Sequence, residues 1–193
     1  MSRRPMVVGG ALAALVLMGA VACSSDGGDD ASSDRGTLAF ADAPPGSTDL
    51  GLCAAYDIDD VKALLGGDQS FKQAPPAAIG AEGDPVTGEV CAWERTEPNG
   101  DSASLRIEVR DFGDDAEGLA DQFEQLRKVT TDATLVDGLG TTAFAATTDE
   151  ATLLQVQADP YLMTLASRAG GDLEPLELAQ LRDLATVGLE QLP

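Results

Sequence analysis

The side chains in this sequence that could do chemistry are three cysteines, a few arginines, one tryptophan and many carboxylates. There is no histidine among the 193 residues. That removes a Ser-His-Asp triad, a Cys-His dyad and any histidine-ligated zinc, haem or copper. Neither G-x-S-x-G nor S-x-x-K occurs, so the common serine-nucleophile signatures are missing as well. Asp and Glu number 33 against 12 Lys and Arg, a net charge of −21. Such a charge repels phosphate backbones, and nucleic acid is not expected as a partner. A glycosidase would need two carboxyl groups in a cleft, one with a raised pKa. Among 33 acids some pair always has suitable spacing, so spacing alone nominates none.

Five groups of residues remain as candidates. Cys53 and Cys91 are left as an even pair if Cys23 is used elsewhere. In an exported chain they would pair, closing a loop of 38 positions, which stabilises by about 3–4 kcal/mol in the chain-entropy model. Two free thiols or a metal pair are the alternatives, although two cysteines without histidine make a poor zinc site. Trp93, two residues after Cys91, either packs on the disulfide or offers a stacking platform for a sugar. Arg106 and Arg110 share the wet face of a strand, and Arg95 is placed across the hairpin from them. In so acidic a chain these arginines, with Trp93, mark a candidate face for an anionic ligand or partner, to be weighed against salt bridges to neighbouring acids. Asp57, Asp59 and Asp60 either cap a helix or present oxygens to a divalent cation. Gly138-Leu139-Gly140 lacks the third glycine, the lysine and the long following helix of a phosphate loop, and reads as a turn needing positive φ. None of this calls for a metal or a cofactor.

The first segment reads as an address. Arg3 and Arg4 precede an uncharged apolar run from Met6 to Ala22, about 17 residues against the ~20 needed to span a bilayer. Ala20-Val21-Ala22-Cys23 resembles a bacterial lipobox, with Ala20 where leucine is more usual. Residues 1–22 are thus expected to be a lipoprotein signal peptide, and Cys23 to carry the diacylglycerol that anchors the chain. Residues 23–50 follow as a tether: an acidic Ser/Gly/Asp stretch to Asp34, then Ala43-Pro44-Pro45-Gly46-Ser47. The expected location is the outer face of the cytoplasmic membrane. A chain starting at Cys23 has 10 Lys and Arg against 33 acids, a charge of −23, which pushes the domain away from an anionic membrane surface.

Residues 51–193 are long enough for one core. Hydrophobic residues make up 44% of the chain and aromatics 4%, so that core must be mainly aliphatic. Ile58, Val61, Leu64 and Leu65 predict a helix over 58–65, ended by Gly66-Gly67. Residues 68–88 read as a long irregular loop. Residues 89–95 alternate, with Cys91 and Trp93 on one face. Leu105, Ile107 and Val109 alternate with Arg106, Glu108 and Arg110, and Glu97-Pro98-Asn99-Gly100-Asp101 joins the two strands as a turn. Asp114, with Glu117 three residues later, opens a helix to Lys128. Strands are predicted over 142–146, 152–158 and 161–167, and a last helix over 175–191. The order is α-β-β-α-β-β-β-α. Strands in hairpins rather than in single alternation with helices predict an α+β fold with an antiparallel sheet of about five strands and helices packed on it.

These residues carry a resemblance. Asp49-Leu50-Gly51-Leu52-Cys53, then Asp60-Val61-Lys62-Ala63-Leu64-Leu65-Gly66, then Gly88-Glu89-Val90-Cys91-Ala92-Trp93 and Asp137-Gly138-Leu139-Gly140 resemble the DUF3558-type lipoproteins of actinobacteria over roughly 51–193. The resemblance implies an anchored extracytoplasmic α+β domain and supplies no catalytic residues. The expected function is therefore a non-catalytic binding or regulatory module of the cell envelope. Its partners would be the membrane, through the lipid, and an envelope protein or small ligand. The competing expectation is a carboxylate-dependent envelope hydrolase.

Overall fold

The computed structural model describes residues 50–67 and 70–193. The expectations for the signal peptide, for Cys23 and for the tether up to Asp49 lie outside the described residues.

A short 3-10 helix, Leu52–Ala55, leads into α1, Ile58–Leu64. Asp57 caps α1, its side chain accepting the N–H groups of Asp59 and Asp60. Two three-residue strands follow, β1 (Phe71–Gln73) and β2 (Ala77–Ile79), then the long hairpin β3 (Thr87–Thr96) and β4 (Ser102–Asp111). The second helix, α2, spans Ala116–Val129. Its cap is Asp115, whose carboxyl accepts the Gly118 N–H at 2.9 Å, rather than the expected Asp114. The chain continues through β5 (Thr134–Leu135), β6 (Thr142–Thr147), β7 (Ala151–Ala158) and β8 (Tyr161–Arg168) to α3, Leu178–Gln191.

All described strands form one antiparallel sheet in the order β1-β3-β4-β8-β7-β6-β5, with β2 also on the free edge of β3. The fold is α+β as expected, but the sheet has eight strands, not about five. The three extra strands are short. β1 and β2 lie in the segment read as irregular loop and pair with successive parts of β3. Between them stand Pro75 and Pro76, which donate no N–H to a ladder and so break one edge strand in two. The predicted α1, α2 and α3 each lie within three residues of their observed bounds.

Side-chain alternation divides the sheet into two faces. One carries Cys91, Trp93, Leu105, Ile107, Val156, Met163 and Leu165 and is covered by the 3-10 helix, α1 and α3. The other carries Phe144 and Leu162, over which α2 lays Leu119 and Phe123. Phe123 and Phe144 meet edge to face with centroids 5.2 Å apart. Since α2 packs against β7 and β8, the same face of β3 and β4 has no helix over it among the described residues.

Candidate functional site

The uncovered face is set by the parity of β3 and β4. Ala92 pairs with Arg106, Val90 with Glu108 and Gly88 with Arg110, so these residues point to one side. On the other edge of β4, Ser104 pairs with Arg168 of β8, which brings that arginine to the same side. Lys72 of β1 pairs with Glu94 and joins them. Nine lysines and arginines fall among the described residues, and four of them (Lys72, Arg106, Arg110 and Arg168) occupy this one face. Lys72, Ala92, Glu94, Ser104 and Arg106 border a depression of about 410 Å³ there.

Glu108 lies between its two arginines. Arg106 donates from Nη2 to Oε2 at 2.9 Å, and Arg110 from Nε to Oε1 at 2.6 Å. Burial pushes the Glu108 carboxyl up, but the hydrogen bonds and charges of both guanidinium groups outweigh it and hold the carboxyl below the usual range. The Glu108 side chain is 12% exposed, whereas Arg106 and Arg110 are 56% and 41% exposed. One half-buried carboxylate thus orients two guanidinium groups that keep most of their donors in solvent. The triad is net positive and its forks suit a planar anion such as a carboxylate.

Arg95 and Trp93, expected on this face, belong to the opposite one. Both follow the odd-numbered parity of Cys91, and Arg95 pairs with Ala103 rather than with a wet-face residue. Trp93 is 2% exposed and packs edge to face on Tyr56, centroids 5.7 Å apart. A buried indole cannot be a stacking platform for a sugar. Arg95 donates from Nη1 to the Leu65 carbonyl at 3.3 Å and pairs with Glu97. It therefore satisfies a carbonyl at the end of α1 and is not free for a ligand.

The remaining candidates resolve as scaffold. Cys53 and Cys91 form the expected disulfide, with Cα atoms 5.5 Å apart. It fastens the 3-10 helix to the middle of β3. Beside it lies Glu89, 3% exposed. Its Oε2 accepts the N–H groups of Leu50 and Leu52, each at 3.1 Å, and its Oε1 accepts that of Cys53 at 3.3 Å. The ligating atoms of Cys53, Glu89 and Cys91 lie within 4.8 Å of one another, but the sulfurs are bonded to each other and the carboxyl oxygens are engaged by amides. Asp57 is occupied as the cap of α1. Gly138 and Gly140 have φ of 74° and 59°, the left-handed turn expected, and a Cβ on Gly140 would strike the Gln157 carbonyl.

Three contributors were not foreseen. Glu89 was visible in principle, since it is a charged residue on the parity of Cys91 and Trp93. Lys72 and Arg168 were not, because only the strand order brings β1 and β8 beside the hairpin.

No family model matches the chain, and no curated protein matches it. Among solved structures it is similar to a GTP binding regulator from Thermotoga maritima, at 14% identity and a TM-score of 0.37, covering 72% of this chain and 88% of that one. No helix among the described residues is long and apolar enough to cross a membrane.

Proposed function

We propose that this chain is a non-catalytic binding or regulatory module, tethered by a lipid on Cys23 to the outer face of the cytoplasmic membrane, whose anionic partner docks on the sheet face centred on Arg106 and Arg110. One observation carries the reading: a chain of net charge −21 gathers four of its nine described cations on one side of the sheet, centred on the stretch of β3 and β4 that no described helix covers. Elsewhere its surplus of acid would repel such a partner. The carboxyl groups with a resolved shift, Glu94, Glu108 and Glu124, are all held down. A carboxylate hydrolase needs one held up, so none of these three is suited to that role.

The test has two arms. Mass spectrometry of the protein from its native envelope should find the mature N-terminus at Cys23 with a diacylglycerol increment; an N-terminus elsewhere, or no increment, overturns the anchor. Affinity capture from detergent-solubilised membranes should recover a partner that the Arg106→Glu/Arg110→Glu variant loses at least tenfold and that Arg182→Glu, remote from the face, retains. Equal recovery by all three proteins overturns the docking face.

A further inference from the structure

The side of the molecule covered by α1 and α3 carries a second feature, of opposite character. A groove of about 490 Å³ runs between the two helices. Leu64 of α1 and Leu184 of α3 line it and are half-buried, packing on the core beneath. Ala63 and Val187 flank them and are exposed, Val187 by 43%. Leu184 and Val187 lie three residues apart and so form a stripe on α3 separate from Leu181, Ala185 and Gly188, which face the core. Four large hydrophobic residues are exposed among those described, and two of them, Ile58 and Val187, are on these helices.

The rim is acidic on both walls, Asp60 from α1 and Asp183 from α3. The cations of the same helices are engaged elsewhere. Lys62 pairs with Asp59 and sits over the Phe71 ring, and Arg182 donates to the Asp137 carbonyl at 3.1 Å. A groove with Ala63, Leu64, Leu184 and Val187 along it and Asp60, Asp183 and Gln180 beside them selects by charge as well as by shape. A second copy of this chain is disfavoured, because a two-fold contact would face Asp60 and Asp183 against their own copies in a molecule of charge −21. An anionic lipid surface is repelled for the same reason.

We propose that the groove between α1 and α3 receives a basic amphipathic helix of a partner protein, with apolar side chains three or four residues apart entering between Leu64 and Leu184 and flanking Lys or Arg side chains meeting Asp60 and Asp183. This is the helix-in-groove mode of recognition. The site is separate from the cationic sheet face, and each can fail without the other.

The test uses full-length protein in detergent and a labelled synthetic Leu/Lys amphipathic helix as probe, followed by fluorescence anisotropy in 150 mM NaCl. Any acidic protein attracts a cationic peptide, so the deciding variant is Val187→Glu, which adds negative charge while spoiling the apolar stretch of the groove. Groove binding requires Val187→Glu to weaken the probe at least tenfold, Asp60→Asn/Asp183→Asn to weaken it several-fold, and Arg106→Glu/Arg110→Glu to leave it within twofold. Equal or tighter binding by Val187→Glu means simple charge attraction and overturns the proposal, as does no binding by the wild type at 100 μM probe. Self-association of the unliganded protein that Val187→Glu abolishes would assign the groove to a second copy, and also overturns it. Circular dichroism spectra that match the wild type confirm that the variants fold.

Discussion

Glu89 decides how the start of the domain is held. Its carboxyl sits on the core side of β3, and three backbone amides from Leu50 to Cys53 converge on it. Buried N–H groups left unpaired cost about 1–3 kcal/mol each, so Glu89→Ala should destabilise by roughly 3 kcal/mol or more. Glu89→Gln keeps one acceptor oxygen and should lose about half as much. Urea titration with an unchanged m-value checks this; an alanine variant within 0.5 kcal/mol of wild type would contradict the assigned role. Glu108 gives a pH-dependent counterpart. Its carboxyl is held below the usual range in the folded state, so its stabilisation is complete above the ordinary glutamate pKa of ~4.3 and is lost as pH falls through the folded value. Glu108→Gln should therefore flatten the acid limb: between pH 7 and pH 3.5 the variant's urea midpoint falls less than the wild type's. Parallel profiles would remove the triad from the stability of this face.

At the scale of elements, α3 is held to the sheet by close approach. The Tyr56 hydroxyl donates to the Leu184 carbonyl at 3.2 Å, and a Cβ on Gly188 would strike that hydroxyl. Alanine is favoured over glycine within a helix by up to ~1 kcal/mol, but forcing atoms into a packed contact costs about 1–3 kcal/mol. The second effect is the larger, so Gly188→Ala should lower Tm. Tyr56→Phe removes the obstructing oxygen, and the double variant should be more stable than the two single effects added; simple additivity would show that no contact is shared. The same helix shows what local pattern can and cannot convey. The Leu178, Leu181, Ala185 and Leu189 spacing, and the alternation of β3 and β4, write their elements directly into the chain, because each buries one face. β1 and β2 bury little and are split by Pro75 and Pro76, so nothing local distinguishes them from loop. The candidate face divides the same way. Arg106 and Arg110 follow from parity within one strand. Parity equally places Arg95 with Trp93 on the buried side, a consequence that proximity in the hairpin obscures. Lys72 and Arg168 arrive through pairing of distant strands, which no local spacing encodes.

For the whole molecule the governing quantity is its charge. Most described cations already have an acidic partner, as in Arg95–Glu97, Arg106–Glu108–Arg110 and Arg127–Glu124, so the excess acid has no counter-charge within the chain. A folded domain with so large an excess of acid repels itself, and unfolding relieves that repulsion by spreading the charge. Salt screens it: the Debye length falls from ~30 Å at 0.01 M to ~8 Å at 0.15 M. Raising NaCl from 10 to 150 mM should therefore increase Tm by several degrees. The exposed ion pairs weaken under the same screening, but each is worth at most about 1 kcal/mol, so the net sign stays positive. The proposed docking at the Arg106 and Arg110 face should respond in the opposite sense, since screening would remove the attraction between an anionic partner and that face of an otherwise repelling surface. Thermal unfolding and partner capture over one salt series read both trends. A falling Tm would mean that ion pairs outweigh self-repulsion, and salt-independent capture would mean that the partner does not recognise the cationic face.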